Sequence, residues 1–197
     1  MRRILAWVLV VAVPATLGCG GSDAEPDTGG SPLPRPTTTT DTSAGTAADP
    51  RVIPSDPADI TPAYVEAVLR ELYAIQRDAL RLAMREGAVT AEVINLLERI
   101  NTPKRSLAEI NALADLARAG FTDVFEPAGA VAAEVVSLVR ARLDCIVVEA
   151  RLDFSAVSRD GQRRVAYVGL VPQANSWVFS AVGIAATGGP PSKPCTR

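Results

Sequence analysis

Residues 145–157 of this chain read CIVVEARLDFSAV, and apolar and polar side chains alternate along most of this stretch. The apolar positions, two residues apart, are Ile146, Val148, Ala150, Leu152, Phe154 and Ala156. The polar positions between them are Glu149, Arg151, Asp153 and Ser155. A period of two places each set on its own side of an extended chain. We therefore predict a β-strand with one buried face and one face in solvent.

Two further strands are predicted downstream, because turn residues separate two more apolar stretches. Asp160-Gly161 signals the first turn, and residues 163–171 form the strand that follows. Residues 172–175 form the second turn, before a strand over residues 176–186. Connections this short make the three strands antiparallel neighbours.

Residues 130–143 fit two patterns. The helical pattern uses Val131, Val135, Leu138 and Val139. The strand pattern uses Val131, Ala133, Val135, Val139 and Leu143. We favour a strand for the later part of this segment, which gives four strands in the predicted sheet.

Helices are predicted in the preceding part of the chain. Thr61 can cap a long helix that has Pro62 in its first turn and ends at Gly87. A second helix follows from Thr90 and ends before the Asn101-Thr102-Pro103 segment. A third is predicted to begin at Ser106, because Ser106 and Glu109 have the spacing of a capping box, and to end at Gly120. Its predicted buried stripe comprises Leu107, Ile110, Leu113 and Leu116.

The order of these elements predicts the fold class. Helices followed by antiparallel strands indicate an α+β domain in which the N-terminal helices pack on a curved antiparallel sheet of about four strands. We expect this globular domain to cover residues 60–197.

The N-terminus has the organisation of a secretory signal peptide. Arg2 and Arg3 precede an apolar run over residues 4–17, and Gly18 then precedes Cys19. A run this short is below the roughly 20 residues of a membrane-spanning helix. We predict a signal peptide over residues 1–18 and attachment of fatty acids such as palmitate at Cys19, which gives a lipid-anchored extracytoplasmic protein. Ordinary secretion and an uncleaved anchor are the alternatives.

Residues 19–59 are predicted to be the lipidated cysteine followed by a disordered linker. Glycine, serine, threonine, aspartate and proline dominate this segment, and apolar side chains are sparse. A flexible chain of this kind would hold the domain on the order of 30–40 Å from the bilayer.

Cysteine usage supports export from the cytoplasm. The chain has 3 cysteines, and once Cys19 carries lipid, Cys145 and Cys195 remain. In an oxidising compartment two such cysteines are expected to form a disulfide, and their wide separation differs from the close spacing of redox motifs. The formal net charge is −2, so no basic footprint indicates nucleic acid as a partner.

Candidate catalytic groups are few. The chain has no histidine, and we expect no metal site and no cofactor. Glu149 and Asp153 share one strand face, where a carboxylate can act as a base or simply form ion pairs with Arg163 or Arg164. Candidate pocket residues are these two carboxylates with Tyr167, Trp177 and Phe179. For the two residues last named, packing against the long helix is the alternative to a ligand cavity.

Several short segments carry a resemblance to a known family. They are Thr102-Pro103, residues 144–148, 153–157 and 167–172, Trp177-Val178 and Cys195. Over residues 60–197 the chain resembles uncharacterised lipoproteins of actinobacterial type with a cone-shaped domain like that of nuclear transport factor 2. The resemblance implies a cone-like curvature of the sheet. It implies no reaction and transfers no catalytic residue.

The expected function is that of a non-enzymatic, membrane-anchored binding or accessory domain of the cell envelope. Its partners would be the membrane through the lipid anchor, and an envelope protein or a small apolar ligand. The alternative is an isomerase- or dehydratase-like enzyme that uses a buried carboxylate in a cone-shaped pocket. A purely structural envelope protein is a third possibility. The environment of Asp153 and Glu149 separates the enzyme from the binding domain, because a catalytic base needs burial and a raised pKa.

Overall fold

A computed structural model of the chain describes residues 49–122, 124, 126–157, 161–184 and 194–195. The predicted signal peptide, Cys19 and the linker as far as residue 48 lie outside these residues. Asp160 of the first predicted turn also lies outside them.

The described residues form the predicted α+β arrangement. A short 3-10 helix, Pro57–Asp59, precedes α1 (Pro62–Glu86), α2 (Ala91–Glu98) and α3 (Pro103–Arg118). The strands are β1 (Ala132–Arg142), β2 (Cys145–Asp153), β3 (Arg163–Gln173) and β4 (Ser176–Ile184). They form one antiparallel sheet in the order β1-β2-β3-β4. The ambiguous segment before β2 is therefore a strand, as we favoured.

The long helix α1 begins and ends where the sequence predicts. The hydroxyl of Thr61 accepts a hydrogen bond from the Tyr64 N–H at 3.2 Å, and Pro62 stands in the first turn. Gly87 ends the helix with a φ of 64°, a left-handed conformation that glycine adopts without steric cost. The buried face of α1 then packs against the inner face of the sheet, which is the face that carries Val148 and Leu170.

The predicted start of α3 at Ser106 is wrong. The helix begins at Pro103 with Thr102 as its N-cap residue, and the Ser106 N–H already donates to the Thr102 carbonyl at 2.8 Å. Both sites carry N-terminal signals, and the earlier one prevails because proline fits the first helical turn. Glu109 is thus buried inside the helix rather than acting as a cap, and Leu107 is 61% exposed.

Residues 49–59 pack on the domain, although we assigned them to the linker. The Arg51 carbonyl accepts a hydrogen bond from the Trp177 N–H at 3.0 Å, and Val52 forms a bridge with Ser176. Arg51 and Ile60 are buried. The packed region therefore begins by residue 49, because this segment covers part of the free edge of β4.

A second segment covers the same edge of the sheet. The Phe179 N–H donates to the Ile100 carbonyl at 2.7 Å, and the Thr102 N–H donates to the Phe179 carbonyl at 2.9 Å. Covered edges do not recruit further strands, so these two segments protect the first part of β4, as far as Phe179, from pairing with another chain.

The opposite edge of the sheet is β1, which pairs irregularly with β2 and bonds to the side chain of Glu66. The register of β1 on β2 shifts at Val136 and again at Val139, and each of these valines is 49% exposed. Such bulges bend an edge strand. Glu66 of α1 also accepts a hydrogen bond from the Val135 N–H at 2.9 Å.

Candidate functional site

The five predicted pocket residues lie on opposite faces of the sheet. Glu149 pairs with Tyr167, and Asp153 pairs with Arg163, on the outer face, which points away from the helices. Trp177 and Phe179 are fully buried on the inner face. The sheet separates the two groups, so they do not line a common cavity.

Asp153 forms an ion pair with Arg163 and a hydrogen bond with Ser155 on the outer face of the sheet. Its carboxylate accepts from the Arg163 Nε at 2.8 Å and from the Ser155 N–H at 2.9 Å. Hydrogen bonds from the backbone and hydroxyl of Ser155, followed by the one from Arg163, lower the pKa of Asp153 to about 2. A carboxylate held in its charged form by these donors is a weak base, which agrees with the ion-pair interpretation of this strand face.

Glu149 has similarly ordinary surroundings. It is half-buried, and its Oε2 accepts a hydrogen bond from the Ser137 hydroxyl at 3.2 Å across the β1–β2 pair. Its neighbour on β3, Tyr167, is half-buried as well. Neither carboxylate of the predicted pocket therefore lies in a closed apolar cavity.

Trp177 and Phe179 pack within the core, which was the alternative to a ligand cavity. The Trp177 Nε1–H donates to the Tyr64 hydroxyl at 2.8 Å, and that hydroxyl donates to the Val52 carbonyl at 2.7 Å. Burial raises the pKa of Tyr64. The Phe179 ring lies 5.1 Å from the Tyr73 ring, with the two planes inclined by 52°.

Sequence analysis missed a buried polar cluster between α1, α3 and β4. The Glu109 carboxylate accepts from the Asn101 Nδ2 at 2.8 Å and pairs with the Arg105 Nη2 at 2.6 Å. The Arg105 Nε in turn donates to the Asn101 Oδ1 at 2.8 Å, and the Gln76 amide reaches Glu109 at 3.4 Å. The Arg105 Cζ also lies 5.5 Å from the centre of the Phe179 ring.

This Glu109 cluster, made of Gln76, Asn101, Arg105 and Glu109, is suited to holding structure rather than to proton transfer. The charge of Glu109 is balanced by Arg105, and both of its oxygens are occupied by donors. The four-residue spacing of Asn101, Arg105 and Glu109 was the signal that could have revealed it.

Two buried hydroxyls belong to the same helices. Within the described part of the chain, Tyr73 Oη and Ser106 Oγ have no hydrogen-bond partner. Burial raises the pKa of Tyr73 strongly, and the opposing charges of Arg105, which lowers it, and Glu109, which raises it, change this little. The Tyr73 hydroxyl therefore stays protonated.

A groove of about 430 Å³ lies where α2, the N-terminal segment and the β3–β4 turn meet. It is lined by Arg51, Asn95, Glu98, Arg99, Gln173, Ala174, Ser176 and Val178. Arg51 is held by Asp49 at 2.8 Å, and this contact lowers the pKa of Asp49. The lining thus offers charges of both signs, amide groups and two small apolar side chains, Ala174 and Val178, which suits a polar polypeptide segment better than a small apolar molecule.

The predicted disulfide is present. Cys145 and Cys195 are bonded, with their Cα atoms 5.7 Å apart and a sequence separation of 50. Next to Cys195, the Pro194 carbonyl accepts a hydrogen bond from the Ser180 hydroxyl. A Cβ atom on Gly169 would lie 3.1 Å from the Pro194 carbonyl carbon. Pro194 therefore lies directly over Gly169 on the outer face of the sheet.

Comparison with known proteins gives no relative, since no family model, no curated protein and no solved structure matches the chain. Among the described residues, no group of three or more His, Cys, Asp or Glu side chains is arranged to hold a metal ion. None of the helices described is both long and apolar enough to cross a bilayer.

Proposed function

We propose that the protein is a membrane-anchored extracytoplasmic lipoprotein whose folded domain binds an envelope protein without catalysing a reaction. Residues 1–18 supply the export signal, and Cys19 supplies the lipid attachment site. The membrane is then a partner through the anchor, and the linker lets the domain reach a partner at a distance.

The observation that carries the proposal is the Cys145–Cys195 disulfide. Disulfides persist in oxidising compartments and are rare in the cytosol. A chain with an apolar leader, a cysteine immediately after it, and a bonded pair of later cysteines combines three features of exported lipoproteins. Each feature is weak on its own, and their combination favours the cell envelope.

The surroundings of the carboxylates favour binding over catalysis. The isomerase or dehydratase alternative needs a buried carboxylate that can take up a proton. Asp153 has a lowered pKa, Glu149 lies on the outer face, and Glu109 is paired with Arg105. The groove beside Gln173 and Arg99 is the better candidate for contact with a partner.

Site-specific crosslinking in intact cells tests the proposal. A photoreactive amino acid at Gln173, inside the groove, should yield a discrete adduct with another envelope protein. The same group at Arg163, which is 72% exposed on the outer face, is the matched control. No adduct from position 173, or the same adducts from both positions, would contradict binding through the groove.

A further inference from the structure

We propose that the Cys145–Cys195 disulfide is a reducible site at which an external dithiol attacks Cys195, while Cys145 leaves as a thiolate beside Arg140. This inference concerns the chemistry of the disulfide and does not depend on which partner occupies the groove. The protein is then the substrate of the dithiol and not a redox catalyst, so it does not need the close cysteine spacing of a redox motif.

Accessibility distinguishes the two sulfur atoms. Cys145 is only 4% exposed, because it begins β2 within the sheet. Cys195 is partly exposed in a turn at the end of the described chain. A thiolate must approach a disulfide sulfur along the S–S axis, so the cysteine with the larger exposed fraction is the easier one to attack. The burial of the pair therefore directs attack to Cys195.

Electrostatics favour the same direction of cleavage. The Arg140 Nη1 lies 3.7 Å from the Cys145 Sγ, and within the described residues Arg140 forms no ion pair with an acidic side chain. A guanidinium at this distance stabilises negative charge on sulfur, and a thiolate that is better stabilised leaves faster. Arg140 is a positioning residue here, since it acts on the leaving group and does not itself react.

The complete exchange is balanced in two steps. The first thiolate of the dithiol forms a bond to the Cys195 sulfur, the Cys145–Cys195 bond breaks, and the electron pair goes to Cys145. The second thiol of the reagent then displaces Cys195 from the mixed disulfide. The dithiol is oxidised to a disulfide, and the protein disulfide is reduced to two thiols by the same two electrons.

Opening the bond frees the end of the chain from the outer face of the sheet. Between the described residues 194–195 and the sheet, the Ser180–Pro194 hydrogen bond then remains, and it is worth only about 1 kcal/mol. Chain ends with so few contacts fray. Reduction would therefore uncover the outer face around Gly169, which the Pro194 backbone covers in the closed form.

The first test locates the adduct formed on the full mature chain. The protein is exposed briefly to reduced glutathione, quenched with acid, alkylated and digested for mass spectrometry. We expect glutathione on Cys195 and the alkylating group on Cys145. Glutathione mainly on Cys145, or spread equally over both, would overturn the proposal. In denaturant the preference for Cys195 should disappear, because it depends on burial and on Arg140.

The second test measures the rate of reduction by dithiothreitol. We expect Arg140→Gln to slow reduction roughly threefold, and Arg140→Lys to restore most of the rate. Arg151→Gln is the control, because it removes the same charge from the outer face of the sheet, where its guanidinium is held by Glu134 at 2.6 Å. Equal slowing in both glutamine variants would show a general charge effect and contradict the role of Arg140. Should Arg140→Gln not fold, the adduct on the unmodified chain still decides the direction of attack.

Discussion

The Nδ2 atom of Asn101 lies 2.8 Å from the Oε2 atom of Glu109 and joins the segment before α3 to the interior of that helix. Asn101 also bridges to Phe179 on β4. This contact therefore connects the helical layer to the edge of the sheet. It fixes which face of α3 is buried, because Glu109 must turn inward to reach Asn101.

Replacing Glu109 with glutamine should destabilise the domain by about 1–2 kcal/mol, because the Arg105 guanidinium would lose its charged partner in a largely buried site. Asp115→Asn is the matched control, since it removes an exposed ion pair with Arg118 on the same helix. That change should cost less than about 0.5 kcal/mol. Denaturant unfolding of both variants measures the difference, and equal losses would show that the Glu109 cluster has no special weight.

Replacing Tyr64 with phenylalanine should cost about 1–2 kcal/mol, because the Trp177 Nε1–H and the Val52 carbonyl would both lose a partner. Trp177 is the only tryptophan outside residues 1–18, so its fluorescence reports directly on this contact in the mature protein. Tyr167→Phe on the outer face is the control. An unchanged unfolding midpoint and emission spectrum in Tyr64→Phe would contradict the described hydrogen bonds.

The contribution of Asp153 to the free energy of unfolding should fall as the pH is lowered. Its pKa is lowered to about 2 in the folded protein, so the unfolded state binds the proton more tightly. The contribution is fully present above the unfolded pKa of roughly 4 and is lost as the pH falls through about 2. The difference in unfolding free energy between the unmodified protein and Asp153→Asn should be constant above that range and shrink below it. A difference that grows on acidification would contradict this account.

Replacing Gly169 with alanine should displace the end of the chain. The new methyl group would contact the Pro194 backbone, and overpacking of this kind typically costs about 1–3 kcal/mol. Ser180→Ala, which removes only the hydrogen bond to Pro194, should have a smaller effect. Limited proteolysis of the C-terminal segment and unfolding midpoints report on both. A Gly169→Ala variant with unmodified stability and resistance would show that the chain end does not rest on this glycine.

Most of the fold was predictable because it follows from local patterns. Alternation along residues 145–157 predicted β2, and Thr61, Pro62 and Gly87 predicted both ends of α1. The pairing of Cys145 with Cys195 was predicted from cysteine usage and is confirmed.

The departures from prediction arise from interactions between distant parts of the chain. Two N-terminal signals compete at α3, and the packing of Glu109 against Asn101 is not visible in either of them. The order of the segment around Arg51 could not be predicted from neighbouring residues, because its backbone partner Trp177 is far away in sequence. The predicted pocket residues lie on two faces for a different reason. Residues 163–171 and 176–186 are apolar on both sides, so alternation did not place Tyr167, Trp177 and Phe179 relative to Glu149.

The mass of the mature N-terminus, measured on protein isolated from its own cells, tests the central claim most directly. The account predicts a chain that begins at Cys19 with fatty-acyl groups attached, and a peptide pair joined through Cys145 and Cys195. A chain that retains residues 1–18 without lipid, with all three cysteines as free thiols, would contradict it.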